Sequence, residues 1–232
     1  SPSSVPEAGS GSVTGTLTGR RRRMHTLKYG SNGALHQAVR DRSMQTIRAL
    51  ASEYVVDEPD DRGCTPLHLA VEEDSPDAAR VLLDAGAQPN ATNRDGWTPI
   101  HYASSMHTMR MCRLLLSRPG CDPTLSTSSG TTVLHYWARF TPANPLERED
   151  YLALLAELAR RGCDPNAKTV AAQETPLHQA VKRCNVVAVR ALLEVCGSNA
   201  NAVNIIRETP LHYAALNGDL ESTKLLLKHH AH

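Results

Sequence analysis

One phrase recurs along this 232-residue chain and limits what the chain can fold into. It reads Thr65-Pro66-Leu67-His68-Leu69-Ala70, Thr98-Pro99-Ile100-His101-Tyr102-Ala103, Thr132-Val133-Leu134-His135-Tyr136-Trp137, Thr175-Pro176-Leu177-His178-Gln179-Ala180 and Thr209-Pro210-Leu211-His212-Tyr213-Ala214. A degenerate copy, Gly33-Ala34-Leu35-His36-Gln37-Ala38, comes before them, and the six histidines step by 32, 33, 34, 43 and 34 residues. A period of that length describes stacked supersecondary units, each too small to close a core of its own.

The phrase has a physical reading. Thr is suited to cap a helix, Pro is preset for its first position, and Leu with the Ala three residues on makes a buried face. A second apolar run follows each full copy, as in Val81-Leu82-Leu83 and Leu225-Leu226-Leu227. Gly86, Gly120, Gly162 and Gly197 are expected to stop four of these second helices at the position just past the cap. Gly63, Gly96 or Gly130 then returns the chain to the next Thr. Each unit reads as helix, turn, helix and extended hairpin. The pattern is still running at the last residues, as expected of a fragment of something longer.

On these residues the chain resembles the ankyrin-repeat family, from about residue 31 to 232. The Thr-Pro-Leu-His phrase carries the match together with Gly86-Ala87-Gln88-Pro89-Asn90-Ala91, which is echoed at Gly162–Ala167 and Gly197–Ala202. The resemblance implies an all-α repeat solenoid: helix-turn-helix units with β-hairpin fingers, in a curved stack with a concave binding face. Repeats are expected at about 31–61, 62–93, 94–127, 128–169, 170–204 and 205–232. It also implies that the recurrent His is structural and holds the hairpin by local bonds, so the six imidazoles are no metal or acid-base centre.

The array departs from its own grammar in the unit at 128–169. The surplus residues fall at 140–148, where Asn144 and Glu147 form a capping-box pattern and Pro145 suits a first helical position. A second helix from about Pro145 to Arg161, about a turn longer than its siblings, follows from this. The same unit has Trp137 where the other full copies have Ala. Trp would overpack an ordinary junction, so insertion and Trp are read either as mutual compensation or as a contact for a partner. The fourth and fifth fingers have Gln173 and Arg207 in place of Gly, and are expected to turn differently.

Helical periodicity puts Leu67, Ala70 and Val71 on one side and Leu69, Glu72 and Glu73 on the other. The resemblance makes that other side, with the hairpin tips, the partner-binding groove. Its candidate residues are Asp60, Asp61, Glu72 and Glu73 at an acidic start, then Arg94, Trp97, Tyr102, Met106, Tyr136, Arg139 and Phe140 in an aromatic and apolar middle. Lys182 and Arg183 make the far end basic, and Ile205, Ile206, Tyr213 and Leu216 complete the set. Such charges are either an ordinary solvated face or the print of an extended ligand, basic at one end and with an apolar anchor.

Residues 1–30 read as a Ser/Gly/Pro-rich flexible tail with a basic run at Arg20–Arg23. That run suits a nuclear-import signal, or a cis contact with the acidic start of the array. The formal net charge of +1 conceals it, since residues 1–50 hold eight basic groups against two acidic ones. Aromatics are 4% of the chain, and six of the nine lie between Trp97 and Tyr151. No global field points to nucleic acid, no apolar run is long enough to insert in a membrane, and six cysteines without a C-x-x-C pair suit reduced thiols in cytoplasm or nucleus. With no catalytic or phosphate-binding motif, no enzyme, no cofactor and no metal are expected.

The reading is therefore a non-catalytic protein–protein interaction scaffold, the recognition module of a larger protein. One alternative is an adaptor or inhibitor that presents a target to a ubiquitin ligase or sequesters a transcription factor. A second is a small-ligand sensor with an aromatic pocket built from Trp97, Tyr102 and Phe140.

Overall fold

A computed structural model describes residues 33–53 and 55–232. The Arg20–Arg23 run, and with it the expected cis contact, lies outside the described residues. The described residues form twelve α-helices: α1 (Ala34–Arg40), α2 (Met44–Glu53), α3 (Pro66–Glu72), α4 (Pro76–Asp84), α5 (Pro99–Ser105), α6 (Met109–Leu116), α7 (Val133–Trp137), α8 (Pro145–Arg160), α9 (Pro176–Lys182), α10 (Val186–Glu194), α11 (Pro210–Asn217) and α12 (Leu220–Lys228). They pair as six helical hairpins. The odd-numbered helices pack on one another as an inner row, and α2, α4, α6 and α8 pack in sequence as an outer row.

The recurrent phrase does what its chemistry requires. Thr65, Thr98, Thr132, Thr175 and Thr209 are extended N-caps, and His occupies the third helical position, where a capping box ordinarily has Glu or Gln. In each, the Thr backbone N–H donates to the His Nδ1, at 3.1 Å for His68 and 3.2 Å for His101. A nitrogen that accepts has no proton, so the ring proton sits on Nε2. That Nε2 donates to a carbonyl of the next unit: Trp97 from His68 (3.0 Å), Leu125 from His101 (3.1 Å), Glu174 from His135 (3.1 Å) and Glu208 from His178 (3.2 Å). The His is thus more than a local hairpin clamp: it stitches its own helix to the following finger. Burial of the ring holds His68, His101, His135 and His178 below the usual imidazole range.

The fingers carry less regular structure than expected. No strand occurs among the described residues, and the one bridge joins Ser126 to Thr132. Each turn is too tight for a ladder: one bond closes it, such as Asp60 N–H to the Cys64 carbonyl or Asn93 N–H to that of Trp97, and a second runs back inside it, from Gly63 N–H to the Asp60 carbonyl or from Gly96 N–H to that of Asn93. The fingers bond to one another instead. Arg94, Ser128, Val170 and Ile205 each donate a backbone N–H to the preceding tip, at the carbonyls of Arg62, Asp95, Ser129 and Ala172 (2.8–3.1 Å).

Close approach between fingers explains the tip glycines. A Cβ on Gly96 would come within 2.8 Å of the Ser128 nitrogen, and one on Gly130 within 2.8 Å of the Lys168 carbonyl oxygen. The Arg207 finger does not turn differently, contrary to expectation: Arg207 takes the same left-handed conformation (φ 64°) over the same spacing. The Gln173 finger does differ, since its closing bond runs from Thr169 to Glu174, one residue further. Helix ends also need correction. Gly86 and Gly162 directly follow their caps, but α6 is capped at Ser117 and α10 at Val195, so Gly120 and Gly197 stand in the turns beyond.

In the irregular unit, Asn144 caps α8 by accepting the Glu147 N–H (2.9 Å), and Pro145 opens it. At 16 residues against 9 for α4 and α10, α8 is nearly two turns longer than its siblings, more than expected. The extra length brings Tyr151 over Trp137, which is fully buried. The indole Nε1–H donates to Ser104 Oγ (3.1 Å), and the Tyr151 hydroxyl donates to the Trp137 carbonyl (3.0 Å). The lengthened helix and Trp137 thus pack directly on one another, as compensation requires.

Candidate partner-binding face

Inner helices and fingers together present the concave side. Each finger is held by one side chain that the sequence reading placed elsewhere or missed. The Asp60 carboxylate accepts the N–H groups of Arg62 (2.9 Å) and Cys64 (2.8 Å); Asn93 does the same for Asp95 and Trp97, and Asn204 for Ile206 and Glu208. Burial raises the Asp60 pKa, but these two N–H groups and the Arg62 guanidinium outweigh it, and the net shift is downward. Asp60 is therefore a buried brace rather than an acidic tip. The signal was present in the sequence, as a carboxylate, carboxamide or Thr four residues before the residue that precedes the Thr cap (Asp60, Asn93, Thr127 and Asn204), or five before it in the longer fourth finger (Thr169).

The acidic start is largely spent internally. Glu72 pairs with Arg62 at 2.8 Å, Glu73 lies 4.0 Å from Arg42, and Asp77 pairs with Arg80 at 3.0 Å. Asp61 stays exposed. At the far end, Lys182 is bound to Glu174 (3.0 Å), a buried carboxylate that also accepts from the Tyr213 hydroxyl (3.1 Å) and from the Gln179 amide. Lys182 and Tyr213 are thus engaged by a residue the sequence reading passed over. Tyr213 takes a further bond from Asn204 (3.0 Å) and carries Lys182 over its ring.

The aromatic middle divides. Trp97 sits between Tyr102 (5.2 Å between centroids) and Tyr136 (5.3 Å), half-buried at the finger base. Phe140 joins a different cluster: it stacks on His107 (5.1 Å) and meets Trp137 and Tyr151 edge-on or tilted. Asn185 ties that loop to the next unit, donating to the carbonyls of Ala138 and Phe140. The ring contacts of Phe140 are with His107, Trp137 and Tyr151 rather than with Trp97 or Tyr102, so the three do not assemble into the single aromatic pocket that a sensor would need.

What remains open to a partner is Asp61, Arg94, Met106, Arg139, Arg183, Ile205, Ile206 and Leu216, all exposed. The tips change character along the row: charged at Asp61 and Arg94, hydroxylic at Ser128 and Ser129, apolar at Val170, Ile205 and Ile206. These last three are 67%, 61% and 66% exposed. Arg139, Tyr136, Thr131, Thr169, His135 and Gln179 line a recess of about 90 Å³ beneath the third and fourth fingers. All six thiols are free, and burial pushes Cys112 up to about 12.

Comparisons with known proteins agree with this geometry. A family model described as ankyrin repeats (3 copies) matches residues 17–93, 86–169 and 143–232. Human transient receptor potential cation channel subfamily A member 1 is 30% identical over 191 residues, which is 79% of this chain and 16% of the channel. The mouse B-cell lymphoma 3 protein homolog is 33% identical over 167 residues, 71% of this chain and 35% of that protein. The chain thus spans about a sixth and about a third of these relatives. The solved ankyrin repeat domain of Bcl-3, titled a unique member of the IkappaB protein family, superposes with a TM-score of 0.72 at 29% identity, covering 86% of this chain and 87% of that one.

Proposed function

Because the chain belongs to the ankyrin-repeat family, whose domains are generally non-catalytic interaction modules, we propose that it is a recognition module that binds a protein segment along its concave face and finger tips. The observation that carries this reading is the apolar edge formed by Val170, Ile205 and Ile206, exposed on fingers that backbone bonds hold to their neighbours. Large aliphatic side chains gathered on a fixed surface favour a partner that removes them from water. The buried histidines are already used in capping, which leaves their imidazoles no catalytic duty.

Affinity capture with the whole chain tests this. Capture should fail for the double variant Ile205→Ser/Ile206→Ser and persist for Arg190→Ala on the outer row, at equal thermal stability. Equal capture by all three proteins would place the partner on another surface.

A second reading is favoured by the likeness to the Bcl-3 domain over most of both chains. In it the module holds a transcription factor, in cytoplasm or nucleus. A captured partner that binds DNA, and loses DNA when the module is added, supports this reading; a captured partner without DNA-binding activity removes it.

A further inference from the structure

The recognition reading above can be given a partner chemistry, and this inference rests on it. Charge left after internal pairing differs from charge read along the sequence. Glu72 and Glu73 face Arg62 and Arg42, and Glu174 is taken up by Lys182, Tyr213 and Gln179. Arg139 is exposed and has no carboxylate partner among the described residues, and the same holds for Arg183 and Arg207 nearby in the array. Glu208 makes no ion pair among the described residues and offsets one of these three guanidiniums, so the unspent charge on this half of the face is net positive.

The recess beneath the third and fourth fingers collects donors around Arg139. The Tyr136 hydroxyl has no hydrogen-bond partner among the described residues. Thr169 Oγ1 already accepts the Glu174 N–H (3.2 Å), so its own proton is free to donate outward. One guanidinium and two hydroxyl donors in about 90 Å³ suit a small acceptor-only anion. Thr169 lines the recess, and Val170, the next residue, opens the apolar edge with Ile205 and Ile206.

We propose that this recess takes an aspartate or glutamate of the bound partner, while a neighbouring aliphatic or aromatic side chain of the same segment covers Val170, Ile205 and Ile206. The partner is an acidic, apolar-anchored peptide segment at this point of the face.

The test is selection of random dodecapeptides on the whole 232-residue chain, followed by fluorescence polarisation with the best clone, synthesised and labelled. Clones should be enriched in Asp or Glu beside Leu, Ile, Val or Phe. Arg139→Gln should weaken the labelled peptide about tenfold. Arg139→Glu should abolish binding and recover it with the peptide whose acid is replaced by Lys. Arg139 is exposed, so both variants should fold. Clones that lose binding with Ile205→Ser/Ile206→Ser but ignore Arg139 would overturn the acidic subsite and leave the recognition reading standing. Failure to enrich any clone would overturn both.

Discussion

The units at 94–127 and 128–169 each carry a Trp and an inner-helix Tyr and use them in opposite directions. In the first, Ala103 packs inward, and the Tyr102 hydroxyl on the concave side is closed by Asn93 (3.1 Å) and Cys64 Sγ (3.3 Å). In the second, Trp137 packs inward under an extended α8. Thr127 stands where Asn93 stood, and its shorter side chain reaches only its own turn, at the Thr131 N–H and Ser129 Oγ. Tyr136 is left with a hydroxyl that has no hydrogen-bond partner among the described residues, in the recess it shares with Arg139. The irregular unit therefore places its aromatic mass in the core and its unused polar groups on the face. A single finger residue decides whether an inner-helix Tyr is a brace or a contact.

The largest expected effect breaks the inward half of that comparison. Trp137→Ala restores the residue of the sibling units but leaves α8 and Tyr151 where they are. It should cost about 3–5 kcal/mol in urea unfolding, the range for emptying a large aromatic site. The reciprocal Ala103→Trp, with no lengthened helix to receive it, should cost about 1–3 kcal/mol by overpacking. A Trp137→Ala loss below about 1 kcal/mol would mean that the neighbours collapse into the space, and that Trp and insertion are independent.

Next in size is a feature the two units share. The Nδ1 atoms of His101 and His135 accept a backbone N–H, and burial opposes their protonation, taking His101 down from 6.5 to about 4. A group with a folded pKa below its unfolded one contributes stability that is complete above the unfolded value and is lost as pH falls through the folded value. Between pH 6.5 and 4, His101 alone should remove about 3 kcal/mol. His68, His135 and His178 shift in the same direction. Urea midpoints at pH 7 and pH 5 check the sign. His101→Ala should cost about 1–3 kcal/mol at neutral pH for its lost buried bonds and flatten part of the slope. His135→Ala should behave alike, because the cap ignores the irregularity around it; a near-neutral His135→Ala would set the two units apart at their caps too.

The fold was legible because it is written in short-range chemistry. A His three residues from the cap announces each inner helix, with Thr at the cap of five and Pro after it in four, and the steps between histidines count the units. Asn144 and Pro145 marked the start of α8 for the same reason. The face was read less well, because its outcome depends on contacts between units. The recurrence that marks Asp60 shows only when the fingers are aligned with one another; by itself the local sequence does not say that its carboxylate folds back on Arg62 and Cys64 while Asp61 stays outside. Glu174 carries no signal of its own beside Thr175, yet it gathers Lys182, Gln179 and Tyr213 from two helices. Periodicity gave Phe140 the same side as Met106, but the inserted loop carries it to His107 and Tyr151. Ile205 and Ile206 were recognised as tips because a finger of four residues leaves them nowhere else to go.

The smallest expected effect bears on the outward half of the comparison. Thr127→Asn should give the third finger the brace that Asn93 supplies to the second, with a carboxamide able to reach the Tyr136 hydroxyl. The gain should be about 0.5–1 kcal/mol, one net hydrogen bond. Burial now pushes Tyr136 up to about 12. A carboxamide N–H donated to the phenol oxygen stabilises the phenolate, so the Tyr136 titration should move down. Asn93→Thr should do the reverse at Tyr102, with a loss of about 1 kcal/mol, since two turn N–H groups are also held less well. Ultraviolet phenol titration and urea midpoints read both variants. If Thr127→Asn leaves the midpoint and the Tyr136 titration unchanged, the finger residue is not what frees that hydroxyl, and the difference between the two units must come from the lengthened α8 instead.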